Sequence, residues 1–329
     1  MLAIGSTKLP LLYVVMLRYR VAAMIALFLL LGAAREGPLD LGLPYLFAVL
    51  ALASSYVAAT ALNDLADEEI DKVNHPRDAG RPLVEGTANR RELLVLHVVA
   101  SVAALAAAAA LGRRGVLLIG VALLLSQIYS ARPVRLSYRV AGAPLALGIA
   151  YVAVPYALGI VAAGGTLRHA WSRLAVALFL LFSARIVLKD FRDREGDARF
   201  GKPTILLRFG KDATCALSLC ALVAGDIVFV VALRPAPALV VQPLVLAIAW
   251  MLRSLRRADD ARAEQVAIGI GARTGNGLLL CMLAALVVRA NGASELEAAL
   301  LAAGVAAVFG LSFLSLAARP DAVTIGYKG

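Results

Sequence analysis

The sequence predicts an all-α fold: a polytopic membrane bundle of nine to ten transmembrane helices, organised as two pseudo-repeated four-helix blocks. Three observations carry this. The chain is 61% hydrophobic over 329 residues, with a mean hydropathy of +0.82, whereas soluble domains are apolar at about half of their positions. Apolar windows of about 16 to 22 residues recur from end to end, with charge almost confined to the gaps between them. An acidic pattern, D-x-x-D-x-x-x-D, occurs twice, at Asp64, Asp67 and Asp71 and again at Asp190, Asp193 and Asp197, each time after the second window of a block.

Taken in order, the windows fall at 20–34, 42–62, 92–111 and 115–130 in a first block, and at 141–163, 171–189, 212–233 and 236–253 in a second. Two more, 274–290 and 296–317, occupy a C-terminal segment at 265–318. Several are short or interrupted by glycine, so nine spans with one re-entrant or interfacial piece is the alternative to ten. The blocks at 20–130 and 141–253 read as a parallel repeat about an axis along the membrane normal, and residues 1–329 read as one transmembrane domain. The alanine-rich stretch at 104–112 favours close helix packing in lipid.

The net charge of +11 raises the question of nucleic acid, but its distribution answers to membrane topology. With the N-terminus inside, most Lys and Arg fall on the inner side, which places both acidic motifs there and returns the C-terminus, with Arg319 and Lys328, to the same side. No nucleic-acid partner is implied, and nothing in the sequence sets an oligomeric state. Cys215, Cys220 and Cys281 lie in predicted spans without C-x-x-C spacing and read as small buried residues. Arg18 and Arg20 precede the first apolar stretch, which lacks a small-residue cleavage site and reads as a retained helix.

Positions i, i+3 and i+7 of an α-helix fall within a sector of about 60°. Each motif is therefore expected to crowd three carboxylates on one helix face, where they repel unless a cation intervenes. Mg²⁺ suits such a face, because it takes oxygen ligands, keeps water and is held by one or two carboxylates plus substrate phosphate oxygens. Two such faces opposed across a bundle would bracket one diphosphate. Solvated loop charge is the plain alternative, and it explains one motif better than two of identical spacing at the membrane edge.

On these residues the chain resembles the UbiA superfamily of intramembrane prenyltransferases. The family signatures, N-D-x-x-D-x-x-x-D after the second helix and D-x-x-D-x-x-x-D after the sixth, stand here as NDLADEEID from Asn63 to Asp71 and DFRDREGD from Asp190 to Asp197. The resemblance extends over residues 60–255, with GRPL after the first motif and GKPT following the second. It implies a bundle around a central cavity, with an apolar tunnel open to lipid. It also implies Mg²⁺ held by Asp64, Asp67, Asp71, Asp190, Asp193 and Asp197 against the diphosphate of a polyprenyl donor. Catalysis would centre on Asp64, Asp67, Asp190, Asp193 and Tyr129. Asn63 would add an oxygen ligand or orient Asp64, or else satisfy backbone groups at a helix end. Glu68, Glu69 and Glu195 fall outside the triplets and read as solvated charge.

A departing diphosphate needs cations around it. Lys189, Arg81 in GRP and Lys202 in GKPT each suit phosphate binding or, equally, the positive-inside surface. Arg185, one helical turn below Lys189, is expected to pair with a carboxylate or phosphate. The segment YSARPVRLSYR, Tyr129 to Arg139, is similar to the Tyr-Ser-x-x-Pro-x-Arg-Leu segment of family members acting on large or ring-bearing acceptors. Where other members carry Y-x-x-x-K, Pro133 stands in the lysine position, so Arg132 or Arg135 would substitute. Tyr129 would stabilise an allylic cation through its ring face or anchor the interface. Asp226, within the seventh window, is an unexplained acid; His75, His97 and His169 lack metal spacing and read as loop or helix-end residues.

The reading is therefore an enzyme, a Mg²⁺-dependent prenyltransferase. Its partners would be a prenyl diphosphate donor, a small-molecule or lipid acceptor and membrane lipids, in a plasma membrane of bacterial type with both motifs cytoplasmic. An aromatic or quinone-precursor ring is the first acceptor expected. A glycerol-lipid or sugar-phosphate acceptor, or terpene cyclisation, is the alternative within the family. CDP-alcohol phosphotransferases are disfavoured because their motif begins D-G. A soluble prenyl-chain synthase is disfavoured because DDARAE at Asp259 lacks the final aspartate of D-D-x-x-D. An ion-coupled transporter would keep its charges near mid-membrane.

Overall fold

A computed structural model describes residues 8–40, 42–76, 80–232 and 235–318, and among these the secondary structure is helical throughout. The helices are α1 (Lys8–Met16), α2 (Tyr19–Glu36), α3 (Leu43–Asn74), α4 (Pro82–Glu85), α5 (Arg90–Ala109), α6 (Gly112–Ser130), α7 (Gly142–Gly148), α8 (Val154–Ala162), α9 (Arg173–Ile186), α10 (Arg194–Arg199), α11 (Ile205–Ala232), α12 (Pro235–Val240), α13 (Gln242–Arg257), α14 (Ala261–Ala290) and α15 (Glu295–Ala318). The starts follow local chemistry. Pro44 sits in the first turn of α3, Asn89 and Glu92 form a reciprocal capping box on α5, and Ser172 and Asp260 cap α9 and α14.

By length and composition, eight helical stretches can cross a membrane, and a ninth is made if α1 and α2 count as one span bent by 65°. The chain is an integral, multi-pass membrane protein. Two expected windows differ in kind. The first is the bent pair, broken where Arg18 takes a left-handed conformation (φ 43°). The sixth, expected at 171–189, is a 14-residue α9 that continues without a break as a 3₁₀ segment over Val187–Phe191, so the tightened turn completes the crossing that brings the second motif back beside the first. Arg319 and Lys328 lie outside the described residues.

The second and third helices of each block pack together, α3 on α5 and α9 on α11, while α2 packs on α8 and the C-terminal α14 on α2 and α13. Where α2 crosses α8, Gly32 lies against the backbone of Tyr156 and Gly159 against that of Leu29, so neither position has room for a Cβ. Main chains in direct contact are a membrane-helix solution, because lipid supplies no hydrophobic drive between helices and close packing must do so. A turn of π-helix (Ile149–Ala153) joins α7 to α8 just before Pro155, whose nitrogen donates no hydrogen bond. Outward faces carry exposed Leu46, Val98, Leu117 and Ile227. Cys215 and Cys281 are buried as expected, whereas Cys220 is exposed on α11.

Candidate active site

The first acidic motif occupies the last turns of α3, which is kinked at Asp67 (φ −111°, ψ 15°). Asp64, Asp67 and Asp71 are all buried, and cations from four separate segments meet them. Thr60 Oγ1 donates to Met16 O at 2.9 Å, fixing the α1–α2 break beside α3. From that break Arg18 Nη2 reaches both carboxylate oxygens of Asp64 at 2.7 Å. Arg81, just ahead of α4, pairs with Asp71 and lies 3.4 Å from Asp64. Arg135 Nη2 donates to Asp67 Oδ1 at 3.0 Å, and Lys202 Nζ to Asp67 Oδ2 at 3.3 Å. Asn63 also donates to Asp67, at 3.2 Å. Glu68 and Glu69 are engaged at the surface with Lys72, and Glu68 with Arg90 as well.

The second motif is not carried on one helix face. Asp190 lies in the 3₁₀ segment, Asp193 takes the non-helical N-cap position (φ −95°, ψ 8°), and Asp197 lies in the six-residue α10. The expected regular 100° stepping is interrupted at Asp193. Burial pushes the Asp190 carboxyl up to about 6, with Asp193 and Asp197 adding to the rise against Lys189 and Lys202. Burial also favours a proton on Asp193, but Arg192 and the hydrogen bond with His75 outweigh it and hold that carboxyl well below the usual range.

The two motifs adjoin. Lys202 Nζ stands 3.3 Å from Asp67 and 3.4 Å from Asp197, a cation shared between them. His75 Nε2, just past the first motif, is 3.0 Å from Asp193 Oδ1. The Gly196 N–H donates to Asn74 Oδ1 at 2.6 Å, and a Cβ at Gly196 would come within 2.7 Å of Asn74 and of Ile70 O. Among the described residues no three Asp, Glu, His or Cys side chains form a ready metal cage. The motifs offer carboxylates from two separate segments instead, and Asp197 Oδ1, 3.4 Å from Lys202, is buried without a hydrogen bond. That donor set fits a Mg²⁺ ion whose shell is completed by phosphate oxygens and water.

Beneath this seam lies a cavity of about 870 Å³. Arg18, Asn63, His75, Arg81, Lys189, Arg192 and Asp193 are among its polar lining. Its apolar part includes Phe28, Tyr56, Tyr151 and Phe182. These four rings form an edge-to-face chain with centroid separations of 5.8 to 6.2 Å. Tyr129 Oη accepts from Lys189 Nζ at 3.1 Å on the same wall.

Of the residues the sequence singles out, Asn63, the six aspartates, Arg81, Tyr129, Arg135, Lys189 and Lys202 come together at or beside this seam. Arg132 is exposed, and it is Arg135 that reaches Asp67. Arg185, expected to pair with a carboxylate or phosphate, lines the cavity and donates to the Asn276 amide oxygen at 2.8 Å. Asp226 accepts from Gln242 at 3.0 Å, and His97 spans Ala58 O and Gln127 at 2.8 Å each. Sequence reasoning gives no site role to Arg18, Asn74 or Arg192, and it reads His75 only as a loop or helix-end residue, which its place at the end of α3 matches. The available signals were a charged residue beside an apolar break for Arg18 and adjacency to the motifs for the others.

The UbiA prenyltransferase family model matches residues 22–276. A digeranylgeranylglyceryl phosphate synthase of Pyrococcus abyssi is 30% identical over 161 residues, 49% of this chain and 55% of that protein. The bacteriochlorophyll synthase 33 kDa chain of Cereibacter sphaeroides is 25% identical over 236 residues, 69% of this chain and 71% of that one. The chain spans roughly half the length of the Pyrococcus relatives it matches. In fold it is similar to a solved UbiA homologue from Archaeoglobus fulgidus bound to GPP and Mg²⁺, with a TM-score of 0.63 at 18% identity, covering 82% of this chain and 99% of that one.

Proposed function

The chain belongs to the UbiA prenyltransferase family, and from that premise we propose that it transfers a polyprenyl group from a prenyl diphosphate to an oxygen-bearing acceptor within the membrane. The observation that carries this reading is the seam itself: two aspartate-rich segments joined through Lys202 above a cavity lined by four aromatic rings.

Asp64, Asp67, Asp71, Asp190, Asp193 and Asp197 would hold Mg²⁺ against the diphosphate, and the ions when bound supply charge neutralisation to the leaving group. The chain's own cations act beside them. Arg18, Arg81, Lys189 and Arg192 line the cavity, where a diphosphate draws the charge of the three arginines away from Asp64, Asp71 and Asp193 and that of Lys189 from the Tyr129 hydroxyl. The allylic carbon then lies below the mouth, where the faces of Tyr56, Tyr151 and Phe182 stabilise cationic character. The apolar wall excludes the water that would otherwise capture the cation. Tyr129, fixed by Lys189, sits where the two regions meet.

The first acceptor reading is an aromatic or quinone-precursor ring, supported by the Tyr129-to-Leu136 segment and by the chlorophyll-type relative. A glycerol-lipid acceptor is the second, favoured by the Pyrococcus relative. We place both motifs on the cytoplasmic side of a bacterial-type plasma membrane from the positive-inside bias. We treat the chain as one domain of two pseudo-repeated blocks, a reading supported by the matched pairs α3 with α5 and α9 with α11. The test is purified protein in lipid with geranylgeranyl diphosphate, Mg²⁺ and a panel of acceptors, alongside Asp64→Ala and Asp190→Ala. Metal-dependent diphosphate release is expected from the wild type alone, and product mass names the acceptor class. Release that survives both substitutions would overturn the assignment.

A further inference from the structure

Hydroxyl side chains in the helices of this protein mostly bond back to the carbonyl one turn earlier, as membrane helices allow. Ser101 donates to His97 O at 2.7 Å, Ser183 to Phe179 O at 2.8 Å and Thr274 to Ile270 O at 3.0 Å. Ser126 and Ser130 on α6 do not. Both are buried, at 8% and 3% exposure, neither hydroxyl has a hydrogen-bond partner in the protein, and both line the cavity. Four residues apart, they share one face of α6, separated along its axis by about 6 Å.

Buried hydroxyls left unpaired are unfavourable and uncommon, so two on one cavity wall call for a ligand. Their surroundings define its chemistry. Tyr129, between them in sequence, meets Lys189 next to Asp190, so Ser130 borders the diphosphate region and Ser126 lies one turn toward the hydrocarbon. A diphosphate is already served by arginine and lysine at the mouth, and beyond its diphosphate a prenyl tail offers no polar atoms. A serine hydroxyl both donates and accepts without carrying charge. It matches a neutral hydroxyl or carbonyl oxygen.

We propose that Ser126 and Ser130 bind the head of the acceptor substrate through its hydroxyl or carbonyl oxygens, holding it below the diphosphate and against the aromatic chain. The proposal rests on the prenyl-transfer reading and adds the acceptor subsite to it. The oxygens belong either to a ring acceptor or to a glycerol lipid, since both present the same neutral hydrogen-bonding group.

The test uses Ser126→Ala, Ser130→Ala and the double variant in lipid nanodiscs with Mg²⁺ and geranylgeranyl diphosphate. The acceptor probes are 4-hydroxybenzoate in one arm and a geranylgeranyl glyceryl ether phosphate in the other. In the double variant the KM for the prenylated probe is expected to rise about tenfold, which is two modest hydrogen bonds. The donor KM should change less than twofold, and the Tm should hold or rise, because the alanines remove unpaired groups. The responding arm names the source. An unchanged acceptor KM overturns the proposal, as does a donor KM that rises in step, which would put the hydroxyls on the diphosphate. A fall in Tm that tracks the loss of activity overturns it in favour of a structural role. If wild type binds the donor with Mg²⁺ but prenylates neither probe, the subsite assignment falls and the prenyl-donor reading stands. If it fails to bind the donor, the family-based activity falls first.

Discussion

The two acidic segments have identical spacing and unlike construction. The first rides on one long helix and draws most of its counter-charges from far along the chain, Arg18 at a helix break, Arg135 after α6 and Lys202 after α10, with Arg81 before α4 only ten positions past Asp71. The second is broken into a 3₁₀ turn, a cap residue and a short helix, and Asp193 finds Arg192 next to it in sequence and His75 across the seam. The difference teaches that equal ligand spacing does not require equal backbone geometry. What the halves share is their junction at Lys202, Asn74 and Gly196.

The largest effect expected is on chemistry. Asp64→Ala and Asp190→Ala should each lower kcat by about 10³-fold, and chelation of divalent ions should do at least as much. Unequal losses in a diphosphate-release assay would show that one segment carries the ion and the other only supports it. Next is Arg18→Gln, which leaves Asp64 buried with only the more distant Arg81 at 3.4 Å and should destabilise by about 2 kcal/mol. Magnesium should recover part of that loss in thermal unfolding. Equal destabilisation with and without the ion would break the assignment of Asp64 as a metal ligand.

Gly196→Val forces a side chain between α10 and Asn74 and should destabilise by about 2 kcal/mol. Chain melting in detergent checks it, and an unchanged Tm would mean the junction is loose. Lys202→Gln should raise the donor KM about tenfold, equivalent to ~1.4 kcal/mol, with a smaller change in kcat. The mildest effect concerns protons. Because burial raises Asp190 to about 6, it binds a proton below that pH and must shed it to meet a cation. Apparent Mg²⁺ affinity should therefore weaken as pH falls through about 6, and Asp190→Asn should flatten that slope in a metal titration.

Much of this arrangement was legible in the sequence because apolar length and charge segregation are local signals. The windows behind α3, α5, α6 and α11 need only neighbouring residues, and so does the repeated acidic spacing. The short α9 was not legible. Its apolar run continues into Val187 and Leu188, and only tertiary contact decides that these residues tighten into a 3₁₀ turn. Arg18 was opaque for the same reason, since its left-handed backbone and its reach to Asp64 depend on α1 docking through Thr60 and Met16. The Asn276 amide that Arg185 meets ninety-one positions away was equally opaque, because charge pairing is the default reading for an arginine inside a membrane and a neutral partner on a distant helix leaves no local signal.

The crossing of α2 and α8 at Gly32 and Gly159 bears on the route open to the proposed prenyl tail. Those glycines lie toward the end of each helix remote from Arg18, and backbone pressed on backbone leaves no slit for a methylene chain. That crossing is a sealed seam in the cavity wall, so on the proposed reading a long prenyl tail has to leave between other helices than α2 and α8.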